Sequence, residues 1–334
     1  MNVWPLPRLV FQELGTVQET RPTALIAKST AWANISRQLT LPLVVQADPL
    51  NNERSYVEDL AKNLPSMVEA IYAVGDEDVC DIARFIASAH HKPLVIVPTA
   101  ISSDEPFVNT STLSDGNRTV ELPTGAATEV LIDLDVIRSA PTTTRAVGIV
   151  DVLSILTALM DWAYAIQKGK AGDAKLAPWL MSIAAQIAAQ AVKLAPALGT
   201  GDPEALHTLI DLICLTVQLD SQQGHRRLSQ GTEHIFALAV QLKATVVDVS
   251  HAERVGPGLL LATALYNKDV TSLRGALDAA GVRLTQLKTA DSRETFLTLP
   301  DFARSHGMPF TMLNDLSANS EPLEQALSKS GLFD

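Results

Sequence analysis

The pattern of this chain changes once, near residue 140, and that change limits the fold more than any single motif. Before it, short apolar runs alternate with stretches of helical periodicity, the order that yields a parallel sheet covered by helices. The runs at 24–27, 43–47, 70–74 and 94–97 read as strands, with a last one at 130–133. Between them, residues 32–39, 56–64 and 79–89 have the length and spacing of crossover helices. Residues 102–128 are polar and irregular, and Asp115-Gly116-Asn117 marks the tight turn of a β-hairpin. Pro141 suits a first helical turn, and after it the pattern is helical almost throughout, with candidates at 142–167, 179–195, 203–219, 233–242, 259–266 and 270–280. The sequence therefore predicts an α/β, Rossmann-like domain over 1–140 and an all-α domain over 141–334.

Apolar residues make up 47% of the chain and charged ones 19%, enough to fill two cores. A formal net charge of −11 offers no basic stripe for a nucleic acid, whose binding rests on released counterions. A small anionic substrate stays compatible, because a pocket can be locally positive on an acidic protein. Cys80 and Cys214 can build neither a disulfide framework nor a thiolate zinc site, so a reducing cytoplasm is the expected compartment. The stretch from Met1 to Phe11 carries two prolines and no signal-peptide pattern. Residues 179–198 are apolar but interrupted by Gln186, Gln190 and Lys193, as in a buried amphipathic helix rather than a membrane span. The expected partner is a small-molecule substrate, with no nucleic acid and no membrane, and a homo-oligomer stays open.

Asp151 stands out chemically, because it lies among Val147, Val150, Val152, Leu153 and Leu156 in an otherwise apolar helical stretch. An unpaired carboxylate buried there costs several kcal/mol, so a cationic partner is expected. His234 opens the apolar run after Glu233, and His251 opens a helix after Ser250. One carboxylate and two imidazoles are a suitable ligand set for zinc or iron that leaves positions open for a substrate oxygen. The three are too far apart in sequence for a local motif, and taken alone each histidine reads more simply as a hydrogen-bonded core or surface residue. Ser250-His-Ala-Glu253 forms a capping box, which gives Glu253 a structural role. The Gly256-Pro257-Gly258 run that follows predicts a break or kink in that helix.

The order and context of these positions resemble one family. The segment from Gly148 to Trp162, containing Asp151, Ser154, Thr157 and Asp161, is similar to the one that supplies the aspartate metal ligand of glycerol-1-phosphate dehydrogenases. Arg227-Leu-Ser-Gln-Gly231-Thr-Glu-His234 resembles their second ligand segment, and Ser250-His251-Ala-Glu253-Arg-Val255-Gly256 their third. Pro98-Thr99-Ala100-Ile-Ser102-Ser103-Asp104 is similar to a family loop. The resemblance spans about residues 20 to 270 and implies the iron-containing alcohol dehydrogenase and dehydroquinate synthase superfamily, with its dehydroquinate synthase-like fold. It further implies that Asp151, His234 and His251 hold Zn2+ or Fe2+ in a cleft between the domains. There the ion would act as a Lewis acid on a small, in some members phosphorylated, polyol or keto compound. By the same resemblance Asp104 would orient substrate or take part in proton transfer, its plain alternative being a turn aspartate. Thr99 and Ser102 would contact cofactor or substrate, although loop hydroxyls also satisfy backbone groups.

The family binds NAD(P) through a glycine-rich segment in which the backbone approaches the pyrophosphate at a helix N-terminus. The matching stretch here is Gly75-Asp76-Glu77-Asp78-Val-Cys80-Asp81-Ile-Ala-Arg84, with Gly75 and Asp81 at the cofactor-binding positions and Asp76 and Glu77 where the family has glycine. Carboxylates there fill the space of the pyrophosphate and repel it, although acidic residues in a first helical turn are also favourable structurally. Val150, Gln230, Ala252 and Pro257 are further departures around the ligands. Three functions follow from different classes: an NAD(P)-dependent dehydrogenase, a nucleotide-independent metal-dependent lyase, isomerase or cyclase, and a non-catalytic relative. The first is the expectation, with nucleotide use open. The third has no physical reason to keep a buried carboxylate facing two histidines.

Overall fold

The computed structural model describes residues 6–116, 118–243, 249–287 and 289–333. It divides into two compact units, one ending at Pro141 and the other starting at Thr142. The first contains strands β1 (Arg8–Phe11), β2 (Thr23–Ala27), β3 (Leu43–Ala47), β4 (Ala70–Val74), β5 (Leu94–Ile96), β6 (Ser111–Asp115), β7 (Arg118–Leu122) and β8 (Glu129–Ile132). Its helices are α1 (Ser29–Ile35), α2 (Arg54–Lys62), α3 (Glu77–His90) and α4 (Leu134–Ser139). Six strands form one parallel sheet in the order β1-β8-β5-β4-β2-β3. Every residue of β2 and β4 is buried, the consequence of uninterrupted apolar runs covered on both faces. β1 was not among the expected strands; it is short, partly exposed and lies at the sheet edge, where Arg8 pairs with Glu129 of β8 at 2.7 Å.

Strand order reverses beside β2, because β3 lies on one side of it and β4 on the other. In open α/β sheets the carboxyl ends of strands flanking such a reversal form a crevice. The turns from β2 into α1 and from β4 into α3 both leave the sheet there. Helix α1 starts at Ser29, directly after β2 and ahead of the expected start at Trp32. The β6–β7 hairpin is antiparallel from Ser111↔Leu122 to Asp115↔Arg118, with Gly116 at φ +65°. Asn117, the last residue of the expected turn, lies outside the described residues.

The second unit is all-helical: α5 (Thr142–Arg145), α6 (Ile149–Leu153), α7 (Ile155–Gln167), α8 (Pro178–Thr200), α9 (Pro203–Gln223), α10 (Thr232–Leu242), α11 (His251–Leu265), α12 (Thr271–Ala280), α13 (Ala290–Leu297), α14 (Leu299–Ser305) and α15 (Glu321–Ser330). An α/β unit followed by a helical one is the expected fold class. Two details differ. The single helix expected over 142–167 is three, and at one joint the Ser154 hydroxyl donates to the Val150 carbonyl at 2.8 Å, a side-chain bond that bends helices. The expected break at Gly256-Pro257-Gly258 is absent, and α11 runs on to Leu265. Packing explains this, because a Cβ on Gly258 would stand 2.6 Å from the Glu233 carbonyl oxygen. The two helices approach main chain to main chain there, and the contact surface so gained offsets the amide hydrogen that Pro257 lacks.

Two stretches, Ile149–Gln167 and Pro178–Thr200, are long and apolar enough to cross a membrane. The first is 67% buried inside the protein, as core helices are, and the second 33%, leaving Trp179, Met181 and Ile183 exposed.

Candidate metal centre

Asp151 lies in the middle of α6, whose residues are all buried. His234 is in the first turn of α10 and His251 is the first residue of α11. The three side chains converge within the helical unit. His251 Nε2 stands 2.6 Å from Asp151 Oδ1 and His234 Nε2 stands 3.6 Å from the same oxygen. The imidazole centroids are 5.6 Å apart, and one ligand atom from each residue fits within 4.8 Å of the other two. A tetrahedral ion with bonds of about 2.1 Å separates its ligand atoms by roughly 3.4 Å, so the His234–Asp151 spacing already matches, while His251 must draw back by somewhat under about 1 Å. A hard carboxylate and two imidazoles, nearly enclosed by apolar helices, are a donor set suited to Zn2+ or Fe2+.

Charge at this point is balanced by proximity. Burial pushes the Asp151 carboxyl up, but the two imidazoles outweigh it and hold the group well below the usual carboxylate range. Burial lowers His234 as well, and its bonds to Asp151 and Glu233 more than reverse that, so its ring holds a proton more firmly than a free imidazole does.

Glu233, to which the sequence reading gave no role, is fully buried directly behind His234. Its Oε1 accepts from His234 Nδ1 at 3.0 Å and from the Gly231 amide at 2.5 Å, and its Oε2 from the Thr157 hydroxyl at 2.6 Å. A hydrogen held on Nδ1 by Glu233 would free Nε2 for an ion beside Asp151, the arrangement by which a carboxylate behind a metal-binding histidine sets its tautomer and orientation. Asp161 of α7 supports the same turn, accepting from the Thr232 amide and the Tyr266 hydroxyl, each at 2.7 Å. Burial and then the charge of Glu233 push Asp161 up to about 6. In the sequence Glu233 shows only as an acidic residue beside a histidine at a helix start; its partner Thr157 lies 76 residues away. Glu253 closes the capping box on Ser250 and also pairs with Arg283.

The other candidates belong to the sheet unit. Gly75 lies in the β4–α3 turn. Asp81 is buried on α3, where its Oδ1 accepts from the Thr112 amide of β6 at 2.9 Å and from Arg84 at 3.2 Å. Arg84, 1% exposed, also reaches Glu105 at 2.7 Å and the Thr110 carbonyl at 2.6 Å. The Asp81 carboxylate thus ties α3 to the hairpin. Thr99 and Ser102 are half-buried in the segment after β5. Asp104 is buried just ahead of a 3-10 turn at Glu105–Phe107, and its carbonyl accepts from the Phe107 amide.

Residues 11–141 match the family model for iron-containing alcohol dehydrogenase. A glycerol-1-phosphate dehydrogenase (NAD(P)+) of Aeropyrum pernix is 25% identical over 281 residues, which is 83% of this chain and 78% of that protein. A probable glycerol dehydrogenase from Sinorhizobium meliloti superposes with a TM-score of 0.72 at 16% identity, over 100% of this chain and 99% of its own. A 2-epi-5-epi-valiolone synthase from Streptomyces hygroscopicus, solved with NAD+ and Zn2+ bound, gives 0.69 at 15% identity over 98% and 97%. At those identities the structural likeness establishes the fold.

Proposed function

We propose that the chain belongs to the iron-containing alcohol dehydrogenase and dehydroquinate synthase superfamily, which the family-model match and the glycerol-1-phosphate dehydrogenase relative support, and that Asp151, His234 and His251 hold one Zn2+ or Fe2+ at which a small hydroxylated or keto compound reacts. The convergence of one buried carboxylate and two imidazoles from three separate helices carries this reading. When bound, such an ion supplies Lewis acidity to a substrate hydroxyl or carbonyl. The chain's own residues do the rest: Asp151 contributes the negative charge, Glu233 fixes the ring of His234, and the apolar walls of α6 keep bulk water away from Asp151. The resemblance of residues 98–104 to the family loop supports Asp104 as a substrate-orienting or proton-transfer residue, with Thr99 and Ser102 as loop contacts. Similarity to a glycerol-1-phosphate dehydrogenase favours a polyol or keto phosphate as the substrate class. Two buried thiols, Cys80 and Cys214, favour the cytoplasm.

Elemental analysis of the protein purified without chelator and then offered Zn2+ or Fe2+ tests the reading. We expect about one equivalent in the wild type and a loss of most of it in Asp151→Ala. Unchanged occupancy in that variant removes Asp151 from the ligand set.

A further inference from the structure

We infer that the chain's own carboxylates fill the dinucleotide slot of its sheet unit, so that the metal centre works without NAD(P). The inference rests on the metal reading above but stands on different residues. In a doubly wound sheet a dinucleotide lies across the crevice at the strand-order reversal, its pyrophosphate drawn to a helix N-terminus over a glycine turn. Here that place is the pair of turns leaving β2 and β4.

At the β4–α3 turn the Asp76 carboxylate accepts from the Val79 amide at 3.2 Å, so the chain itself supplies the anion that the helix end attracts. Glu77 and Asp78 follow in the first turn, and the Asn52 amide donates to Asp78 at 2.8 Å. Gly75 remains glycine, but the space over it is taken: a Cβ there would lie 2.8 Å from Val79 Cγ2 and 3.4 Å from Lys28 Cγ. At the β2–α1 turn, Asp48 accepts from both the amide and the hydroxyl of Ser29, at 3.0 and 2.6 Å. An acidic residue at the end of the neighbouring strand is the group that would otherwise meet a ribose hydroxyl. Lys28, in the β2–α1 turn, donates to the Pro49 carbonyl at 3.1 Å. Helix amide, acidic residue and lysine are each satisfied from within the chain, and a pyrophosphate entering here would meet the Asp76 and Glu77 carboxylates in place of open glycines.

Without a hydride carrier, a Lewis acid beside a carbonyl supports redox-neutral steps. A base takes a proton from the carbon next to the carbonyl, the C–H electron pair stays on the substrate, and that pair either takes a proton back from the same base at the neighbouring carbon or expels a leaving group, which the base's proton can neutralise, from the carbon beyond. The reaction class is therefore isomerisation or elimination.

The test is a fluorescence titration of the zinc-loaded full chain with NADH and with NADPH, beside Asp76→Gly/Glu77→Gly, which restores two glycines. Glycine is tolerated at an N-cap, so the variant keeps its fold, and Asp76→Ser/Glu77→Ala serves as a second variant that keeps a capping hydroxyl. We expect no saturation of the wild type up to about 1 mM, the upper end of ordinary substrate affinities, and at least about tenfold tighter binding in a variant. Saturation of the wild type at micromolar concentrations overturns the inference. So does a pair of variants with wild-type melting temperature and zinc content that gain no binding. Zinc content, read on the same samples, reports separately on the ligand assignment, so failure of one reading is not mistaken for failure of the other.

Discussion

Glu233 is the residue at which the proposed metal centre can be tested most sharply, because its three donors constrain what a substitution does. In Glu233→Gln the amide oxygen can still accept from His234 Nδ1 and the Gly231 amide. The new NH2 then faces Thr157, whose hydroxyl can reverse from donor to acceptor. Shape and hydrogen-bond count survive, and only the charge is lost. In Glu233→Ala the ring of His234 loses its support altogether, and the Gly231 amide is left unpaired in a buried place. Removing the carboxylate behind a ligand histidine generally weakens metal binding by about 10- to 100-fold, which is about 1.4 to 2.7 kcal/mol. We therefore expect Zn2+ affinity, measured by competition with a chromophoric chelator, to fall about tenfold in the glutamine variant and about 100-fold in the alanine one. In Co2+-substituted protein the visible ligand-field bands should keep their positions in the glutamine variant and shift or broaden in the alanine variant. Equal Zn2+ affinity in wild type and Glu233→Ala would refute the assigned role, whatever that variant does to folding.

Two further perturbations probe buried charge elsewhere. Asp161 has a folded pKa raised to about 6 by burial and by Glu233, above its unfolded value. Its contribution is therefore fully present below about pH 4 and is lost as pH rises through about 6, a change of up to about 3 kcal/mol. Asp161→Asn keeps an acceptor for the Thr232 amide, so its urea-unfolding stability should lack this decline between pH 4 and 6; parallel pH curves for the two proteins would contradict it. Arg84→Ala leaves Asp81 and Glu105 buried without their cation, and removal of one partner from such a network costs about 3 to 5 kcal/mol. A urea midpoint within error of the wild type would show that the network contributes nothing to holding the hairpin.

What the sequence revealed follows from where the information resides. Strands β2 and β4 were legible because, Thr23 at the start of β2 apart, their residues form unbroken apolar runs, and all of them are buried. Strand β1 was not, since a half-exposed four-residue edge carries no alternation to read. The joint at Ser154 depends on one hydroxyl choosing a carbonyl over solvent, and the persistence of α11 through Pro257 depends on a neighbouring helix; neither leaves a trace in periodicity. Asp151 drew notice as a carboxylate among aliphatic neighbours. Glu233 did not, because its meaning arises from Thr157 on another helix.

The close approach of α10 and α11 at Gly258 links the two imidazoles to each other. Both imidazoles are mounted on a single stiff bracket, where even a methyl group would wedge the main chains apart. The carboxylate opposite them sits on a short helix that bends at Ser154. Under the proposed ligand assignment the two rings share one mounting, so a methyl added at residue 258 should disturb the grip of both together.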